Sequence, residues 1–453
     1  MTVQRPRGTR DFLPEETEKR GRAKLAMQDV LERWGYREVA TPTFEHLELF
    51  TIKSGESVIE EIYSFTDKGG RALALRPELT APVMRMYVSE MQNFPKPQRL
   101  WYFGNCFRYE RPQRGRFREF WQMGTEIIGG SRPDSEAEAI ALADEMLKSL
   151  KVTGEIHVGY LGLIRSILGR IEAQHRPTVM RMIDKKERSA LAALLEEIGQ
   201  SHLGLLELID LKGKSALDKA AQIVGELEAA PSETLNPSPA TEPAAAGAAA
   251  RQEDGRGSAR QGRAVVSELR LEQFQETVDL LDAFGVKFTI DFEIVRGLEY
   301  YSGTVFEIYA QGLGAQRQIC GGGTYELASL FGGKETSSTG FGLGFDRIME
   351  IVQMDESRMP PVFLAFTPDV KMQAAKIAGS LRKSIPLVMD VMGRSLGAQL
   401  KAAASAGAEY VVIVGKDELD AGTLTLREMA RGEQESLALP AIEQRLKIHF
   451  SGR

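Results

Sequence analysis

The sequence has little cysteine, no long apolar run and no strong net charge. Its only cysteines, Cys106 and Cys320, are too few for a disulfide framework or a multi-cysteine zinc site, and we expect both in the core. No apolar run approaches the roughly 20 residues that a membrane span needs, and residues 1–14 lack the apolar core of a signal peptide. We therefore expect a cytoplasmic enzyme or binding protein.

The length and charge of the chain limit its organisation and its partners. A chain of 453 residues is long enough for two or three domains, each with its own core. A formal net charge of −6 gives no general affinity for polyanions. Any contact with nucleic acid must therefore come from local basic patches.

Residues 107–126 (FRYERPQRGRFREFWQMGTE) have the pattern of a β-hairpin with polar groups on one face. Arg108 and Glu110 lie in the first arm, where alternate side chains share a face. The return arm carries Phe120, Gln122 and Glu126. The loop between the arms carries Arg111, Arg114, Arg116 and Arg118. This platform suits a nucleotide phosphate and a zwitterionic substrate, with a polyanion near the loop; a surface hairpin with scattered charges is the alternative.

The segments around the hairpin alternate between helices and strands. After the polar entry GTRDFLP comes a helix, and residues 37–45 then predict a strand interrupted by Pro42. Because proline cannot donate to a sheet, this strand belongs at an edge or an interface. Residues 133–150 predict an amphipathic helix capped by Asp134 or Ser135.

The composition and the apolar spacing of the sequence change twice in the second half of the chain. Residues 160–228 repeat apolar side chains at helical spacing and predict a helical insertion. Residues 229–263 have almost no large apolar side chain, and we expect a flexible segment because little surface is available for burial. From residue 360, short apolar strands alternate with helices at 370–384 and 395–406, which predicts a small α/β domain with a mostly parallel sheet.

Glu78 and Thr80 follow Pro77 at the end of a second predicted hairpin. Proline forces the residue before it into an extended conformation, so these side chains are held where a strand gives way to a helix. A carboxylate and a hydroxyl at this place suit an ammonium group. A helix N-cap by Thr80 is the alternative.

Three later segments are candidates for ligand contacts. Residues 288–310 form two strand patterns around Arg296, and strict alternation would place Arg296 and Tyr301 on opposite faces. Three consecutive glycines that follow a predicted strand within 318–333 permit close approach of a backbone to a ligand. Arg347 lies in the first turn of a predicted helix, where a cation is mildly unfavourable and indicates a nearby anion; a solvated or paired arginine is the alternative.

In this order, the segments resemble those of the histidyl-tRNA synthetases, which are class II aminoacyl-tRNA synthetases. GTRDFLP, the strand with Pro42, LALRPELT and the hairpin match the opening, first and second motifs of that family. IVRGLEYYSGTVFE and GGGTYE resemble its two histidine-specific motifs, and GFGLGFDR resembles the third class motif. The terminal segment SLGAQLKAAASAGAEYVVIVGKDELDAGTLTLREMARGEQ resembles its anticodon-binding domain.

The resemblance implies an α+β catalytic domain, in which an antiparallel sheet is flanked by helices. It also implies a helical insertion and a C-terminal α/β anticodon-binding domain. The catalytic core is expected at 1–158 and 265–356, the insertion at 159–264 including the flexible tract 229–263, and the anticodon domain at 360–453. A homodimer formed through the first motif is also implied.

The implied reaction activates L-histidine with ATP to histidyl-adenylate and pyrophosphate, and then transfers histidine to the 3′ end of histidine tRNA. The implied catalytic residues are Arg108 on the α-phosphate, Arg347 on the γ-phosphate and Arg296 near the α-phosphate and the substrate carboxylate. Glu110 and Phe120 complete the implied ATP contacts. Mg²⁺ is expected as the partner of ATP, without a fixed protein site.

The resemblance also assigns the amino acid and the tRNA. The residues implied to receive the α-amino group are Glu78, Thr80 and Gln122. Glu126 and Tyr301 are implied to pair with the two imidazole nitrogens, and Tyr300 and Tyr325 to line the same pocket. Such pairing rejects an apolar isostere, because unpaired buried polar groups cost about 1–3 kcal/mol each. The residues implied to meet the acceptor end of tRNA are Gln113, Arg116 and Arg118.

Four positions depart from the family pattern. The family usually has Asp at Glu299 and Glu at Asp346, and these exchanges keep the charge. It has Arg-Tyr-Asp where this chain has Thr324-Tyr325-Glu326, so Thr324 removes a cation. The consequence of these departures is open at this point.

Three alternatives to a histidine enzyme remain. The regulatory paralogue of ATP phosphoribosyltransferase shares the class II core and does not charge tRNA, but it lacks the anticodon domain that residues 360–453 resemble. A class II enzyme for another amino acid is disfavoured by Glu126 and the RGLEYY motif. A synthetase-like domain without catalysis is disfavoured by the presence of Arg108, Arg296 and Arg347.

Overall fold

The computed structural model describes residues 3–52, 60–110, 116–200, 204–229, 271–295, 301–314, 317–354 and 361–451. The chain forms two compact units, Met1–Met354 and Asp355–Arg453. Among the described helices, none is long and apolar enough to cross a membrane.

The first unit contains two sheets. Its strands are β1 (Arg37–Glu38), β2 (Phe44–His46), β3 (Ser64–Thr66), β4 (Ala72–Leu75), β5 (Gln98–Phe107), β6 (Glu119–Ile128), β7 (Glu155–Tyr160), β8 (Phe288–Ile290), β9 (Tyr301–Tyr309), β10 (Gln318–Tyr325) and β11 (Ser338–Gly344). The main sheet has the order β1-β5-β6-β11-β10-β9-β7-β8, and a small sheet has the order β2-β4-β3. Neighbours from β5 to β7 are antiparallel, whereas β1 and β8 pair in parallel at the two edges.

The strand predicted at 37–45 is two strands that belong to different sheets. β1 pairs with β5 at the edge of the main sheet, and β2 pairs with β4 in the small sheet. Pro42 lies between them, where its missing N–H interrupts no ladder.

Helices cover the main sheet and fill the interval between β7 and β8. They are α1 (Pro14–Arg33), α2 (Glu48–Thr51), α3 (Thr80–Met86), α4 (Arg132–Ser149), α5 (Leu161–Leu168), α6 (Arg176–Asp184), α7 (Arg188–Glu197), α8 (Leu205–Ile209), α9 (Ala216–Ala229), α10 (271–283) and α11 (Phe345–Ile351). α4 begins at Arg132, before the predicted cap positions, because Pro133 suits a first turn whose N–H groups have no helical partner.

The predicted helical insertion shares the core of the first unit. Buried Ile164, Ile183 and Leu195 belong to the same contiguous apolar cluster as the strands of the main sheet. Residues 230–263 of the tract predicted to be flexible lie outside the described residues.

The second unit is a five-stranded α/β sheet with its own core. Its elements are β12 (Val362–Phe366), α12 (Lys371–Leu381), β13 (Leu387–Met389), α13 (Leu396–Ser405), β14 (Tyr410–Val414), α14 (Lys416–Asp420), β15 (Leu424–Glu428), β16 (Gln434–Leu437) and α15 (Leu439–Ser451). The strand order is β13-β12-β14-β15-β16. The first three strands are parallel, and β15 and β16 join antiparallel, so the sheet is mixed rather than mostly parallel.

Candidate active site

A cavity of about 220 Å³ opens where β6, β10 and β11 meet the start of α11. Three arginines line it, namely Arg108, Arg116 and Arg347. Two carboxylates, Glu110 and Asp346, line it as well. The cavity therefore concentrates permanent positive charge at the ends of several different elements.

The pairing of β6 with β11 decides which side chains share the cavity face. Gln122 lies opposite Gly344, and Glu126 lies opposite Gly340. A Cβ atom at Gly340 would stand 1.7 Å from Glu126 Oε2, so the carboxyl group requires glycine beside it. A Cβ atom at Gly342 would meet no atom closer than 3.8 Å, so the cavity floor is open between Gln122 and Glu126.

Arg108 is held in one orientation by the backbone and by an aromatic ring. Its N–H donates to the Arg118 carbonyl at 3.0 Å, which extends the β5–β6 ladder past the last strand residue. The side-chain Nε donates to the Pro77 carbonyl at 3.0 Å, and the guanidinium lies 5.1 Å from the Phe120 ring centroid. A planar cation fixed in this way suits bidentate contact with phosphate.

Glu110 lies among three arginines. Its carboxylate is 3.1 Å from Arg116 Nε and 4.0 Å from Arg108 Nη1. Its carbonyl accepts a hydrogen bond from Arg118 Nε at 3.3 Å, while the Arg118 guanidinium packs over Tyr109. Arg116 thus lines the cavity, whereas Arg118 is held at its outer side.

Arg347 occupies the first turn of α11, as the sequence predicts. Its Nη1 donates to the Gln318 carbonyl at 2.6 Å. Burial, and then the nearby positive charge of Arg116, lower the pKa of Arg347 from its ordinary value. Cations that repel one another beside a helix N-terminus are stabilised by a bound anion.

Glu126 is fully buried and is held by two tyrosines. Tyr102 donates to its Oε1 at 3.0 Å, and Tyr325 donates to its Oε2. Burial raises the pKa of Glu126 to about 8. Tyr301 packs edge-on against Tyr325, with ring centroids 6.2 Å apart. The site therefore combines a titratable carboxyl group with phenol rings.

Glu78, rather than Thr80, satisfies the N-terminus of α3. Its carboxylate accepts the Thr80 N–H at 2.5 Å and the Ala81 N–H at 3.0 Å. The alternative of an N-cap by Thr80 is therefore wrong. The Thr80 hydroxyl instead lies 3.4 Å from the Tyr102 hydroxyl. Because Tyr102 donates to Glu126, Thr80 is connected through Tyr102 to the Glu126 carboxylate.

Gln122 lines the cavity and contacts a buried thiol. Its Oε1 accepts a hydrogen bond from Cys106 Sγ at 3.3 Å. Burial raises the pKa of the Cys106 thiol to about 12, so the thiol remains a donor. Both cysteines are buried, as expected from the sequence.

Comparisons with protein families decide the relationship. A model described as "Histidyl-tRNA synthetase" matches residues 8–238 and 239–348. A second model, described as "Anticodon binding domain", matches residues 360–448. The chain belongs to the histidyl-tRNA synthetase family.

Individual relatives extend over almost the whole chain. A histidine–tRNA ligase of Methanosarcina acetivorans is 49% identical over 98% of this chain and 99% of its own length. One of Archaeoglobus fulgidus is 43% identical over 97% and 98%, respectively. The predicted family and the prediction of a histidine–tRNA ligase are confirmed by these matches.

A solved structure shares the fold. The histidyl-tRNA synthetase of Nostoc sp. PCC 7120 superposes with a TM-score of 0.72 at 21% identity, covering 99% of this chain and 100% of that one. The predicted class II architecture, with a sheet flanked by helices and a C-terminal anticodon-binding domain, is confirmed.

Asp346, where the resemblance predicted glutamate, is a buried ionic centre. Its Oδ1 accepts from Arg10 at 2.6 Å and from Arg20 at 2.7 Å. Its Oδ2 accepts the Trp121 N–H at 2.5 Å. The shorter carboxylate therefore still joins the opening segment, α1 and β6.

Thr324, where the resemblance predicted arginine, is not part of the cavity lining. It is fully buried and donates to Glu136 Oε1 at 2.7 Å. Glu136 accepts further hydrogen bonds from Thr277 and Thr304. Because adjacent strand residues face opposite sides, Thr324 and Tyr325 belong to different environments.

Several predicted residues lie outside the described part of the chain. They are Gln113, Arg296, Glu299 and Tyr300. Their roles stay predictions. Glu326, by contrast, is described and pairs with Arg132.

Sequence reasoning missed the role of Tyr102. Tyr102 lies on β5 and has the same parity as Arg108, just beyond the end of that strand, so the alternation that places Arg108 on the polar face also places Tyr102 there. The signal was hidden because Tyr102 lies within an apolar run, LWYF, that is typical of a packed core.

Proposed function

We propose that this chain activates histidine with ATP and transfers it, through histidyl-adenylate, to the 3′ end of histidine tRNA. The observation that carries the proposal is the buried Glu126 group beside an arginine-lined cavity. Gln122 lies on the same face of β6 as Glu126 and lines the cavity. An imidazole pocket and a phosphate cavity thus share one strand.

Arg108, Arg116 and Arg347 are assigned to the phosphates of ATP. The histidine carboxylate attacks the α-phosphorus, and the bond to pyrophosphate breaks. Negative charge develops on the α-phosphate oxygens and on the leaving pyrophosphate, where fixed cations stabilise it most. Glu110 and Phe120, which line the same cavity, are assigned to the adenine side. Arg296 is assigned to the α-phosphate and the substrate carboxylate by family resemblance.

Glu126 and Tyr301 are assigned to the two imidazole nitrogens. The ionised carboxylate accepts the ring N–H, and the phenol serves the other nitrogen. Tyr102 and Tyr325 orient the carboxylate without neutralising it, because each only donates a hydrogen bond. Tyr300 and Tyr325 are assigned to the pocket wall.

The α-amino group of histidine is assigned to Glu78, Thr80 and Gln122. Glu78 is half-buried, and its desolvation raises the pKa of its carboxyl group. An ammonium group beside it compensates the desolvated negative charge. The Thr80 hydroxyl lies 3.4 Å from the Tyr102 hydroxyl, and Tyr102 also donates to Glu126. The residues assigned to the amino group and to the imidazole are therefore linked through Tyr102.

Mg²⁺ is assigned to ATP rather than to a protein cage. Among the described residues, no group of three or more His, Cys, Asp or Glu side chains is placed to hold a metal. Mg²⁺ commonly binds substrate phosphates and keeps several waters, which suits a cavity whose lining includes three arginines. When bound, the ion neutralises part of the phosphate charge.

The tRNA is assigned to two regions. Gln113, Arg116 and Arg118 are assigned to the acceptor end. Arg116 is therefore assigned to both the ATP phosphates and the acceptor end of tRNA. The second unit is assigned to the anticodon stem through basic side chains such as Arg394, Lys401 and Lys416. We further propose a cytoplasmic homodimer, which sedimentation tests; a mainly monomeric active species contradicts the dimer.

The regulatory alternative has one specific observation in its favour. A solved relative from Bacillus halodurans, with a TM-score of 0.71 over 92% of this chain, is described as an ATP phosphoribosyltransferase regulatory subunit/histidyl-tRNA synthetase. At 23% identity that likeness concerns the fold. The match of residues 360–448 to an anticodon-binding domain favours the ligase.

ATP–pyrophosphate exchange with each of the twenty amino acids tests the proposal. We expect exchange with histidine alone, and its collapse in Arg296→Ala. Exchange with a different amino acid overturns the assigned substrate. No exchange with any amino acid overturns the enzyme and favours the regulatory alternative.

A further inference from the structure

Five side chains alternate between ring and guanidinium beside the cavity. Arg10 lies 3.6 Å from the Phe117 centroid and 5.0 Å from that of Phe12. Arg20 lies 4.1 Å from the Phe12 centroid and 4.9 Å from that of Phe345. We call Phe117, Arg10, Phe12, Arg20 and Phe345 the Arg–Phe ladder. Cation–π contacts of this kind are strongest where water is excluded.

Asp346 is the ionic centre of the Arg–Phe ladder. One of its oxygens binds both Arg10 and Arg20, and the other binds the Trp121 N–H. The exposed fraction of the side chain is 4% for Asp346, 9% for Arg20 and 23% for Arg10. Two cations share one carboxylate, so removing the carboxylate leaves buried positive charge uncompensated.

The Arg–Phe ladder connects both walls of the cavity to the N-terminal segment. Phe117 belongs to the cavity lining and follows Arg116 directly. Phe345 and Asp346 precede Arg347 in the first turn of α11. A backbone contact adds to this connection, because the Arg118 N–H donates to the Gly8 carbonyl at 2.9 Å.

The position of two cavity cations therefore depends on residues that precede the catalytic motifs. Arg116 follows the hairpin loop, and Arg347 lies in the first turn of a short helix. Each guanidinium has its own contact, Arg116 with Glu110 and Arg347 with the Gln318 carbonyl, but neither residue lies in the middle of a strand, where neighbouring strands would constrain its backbone. Contacts from residues 8–20 supply that constraint from outside both elements.

We propose that Arg10, Arg20 and Asp346 are positioning residues for ATP, which act by holding Arg116 and Arg347 at the separation that the triphosphate requires. This inference rests on the proposed function of the cavity. Buried ion pairs contribute little net stability compared with apolar packing, so geometry is the better account of why charges lie here. Misplacing a binding group by about 1 Å costs up to roughly 10²-fold in rate.

Kinetic constants for both substrates test the inference in ATP–pyrophosphate exchange. We expect Arg10→Ala and Asp346→Asn to raise the KM for ATP by roughly 10- to 100-fold and to leave the KM for histidine within about twofold. Asp346→Glu keeps the charge and is expected to restore the KM for ATP to within about threefold of the wild type. Arg22→Ala is the matched control, because Arg22 lies on α1, the same helix as Arg20, and pairs with Glu18 at 3.1 Å.

Other results overturn the inference. If the variants lose thermal stability while the KM for ATP stays unchanged, the Arg–Phe ladder is structural only. If the KM values for ATP and histidine rise together, the ladder does not act on the phosphate side alone. If the wild type shows no histidine-dependent exchange, the proposed function fails. Calorimetric titration with ATP then still tests the Arg–Phe ladder, because the inference requires weaker ATP binding in the same variants than in the wild type.

Discussion

The arginine-lined cavity and the Glu126 pocket are built in opposite ways. The cavity takes Arg108 from beyond the end of β5, Arg116 from before β6 and Arg347 from the first turn of α11. Glu126 and Tyr325 instead belong to β6 and β10, which pair with neighbours on both sides. Residues outside the sheet need contacts from other elements to hold them, whereas pairing with strands on both sides holds Glu126 and Tyr325.

The two regions also differ in how their charge responds to solution conditions. Guanidinium groups stay protonated throughout the accessible pH range, so the cavity keeps its positive charge. The Glu126 pocket contains a carboxyl group whose pKa is about 8 because of burial. The comparison therefore predicts pH sensitivity for histidine binding and little for phosphate binding.

The largest effect is expected from removing a cavity cation. Arg108→Ala should lower the rate of ATP–pyrophosphate exchange by about 10²- to 10³-fold, because a fixed donor to developing phosphate charge is lost. Arg71→Ala is a matched control, since Arg71 is an exposed arginine paired with Asp67. A loss below about threefold for Arg108→Ala contradicts the assignment of the cavity to phosphate.

Removing one phenol from the pocket should have a smaller and more selective effect. Tyr325→Phe deletes a hydrogen bond to a buried carboxyl group, and such bonds contribute about 1.5–3 kcal/mol. We expect the KM for histidine to rise by roughly tenfold or more and the KM for ATP to stay within about twofold. An equal rise in both constants contradicts separate pockets.

The pH dependence of histidine binding sharpens the comparison. Because the pKa of Glu126 is raised to about 8, the group is mostly protonated at pH 7 and mostly ionised at pH 9. Only the ionised form accepts the imidazole N–H, so the KM for histidine should fall by roughly tenfold over that interval. Glu126→Gln should remove this dependence. A flat wild-type profile contradicts the role of the carboxylate.

The smallest kinetic effect is expected from a substitution on the face of the main sheet that is turned away from the cavity. Thr324→Val removes a donor from buried Glu136 and should cost about 1–3 kcal/mol of unfolding free energy. Because Thr324 faces away from the cavity, both KM values should stay within about twofold. Chemical denaturation and exchange kinetics together check this, and a changed KM at full stability contradicts the placement.

Strand alternation predicted the middle of the site from sequence and failed at its ends. The shared face of Gln122 and Glu126 follows from parity, and the structure places both there. The same rule would place Tyr109 on the face opposite Arg108, in the core, yet its exposed fraction is 54%. It lies beyond the last residue of β5, where no neighbouring strand enforces alternation.

Long-range contacts explain what the sequence alone does not reveal. The resemblance assigned Arg116 to tRNA only, whereas its side chain lines the cavity beside Glu110. The role of Asp346 depends on Arg10 and Arg20, which lie more than 300 positions away. No local pattern records such a pairing, and the charge of the three residues gives no indication of their partners.

The most direct test of the account is a crossed kinetic measurement on Arg347→Ala and Tyr325→Phe. ATP–pyrophosphate exchange is measured with each substrate varied at saturating concentration of the other. The account predicts that Arg347→Ala raises the KM for ATP alone and that Tyr325→Phe raises the KM for histidine alone. Variants that each raise both constants to the same extent would contradict a site made of two separately built regions.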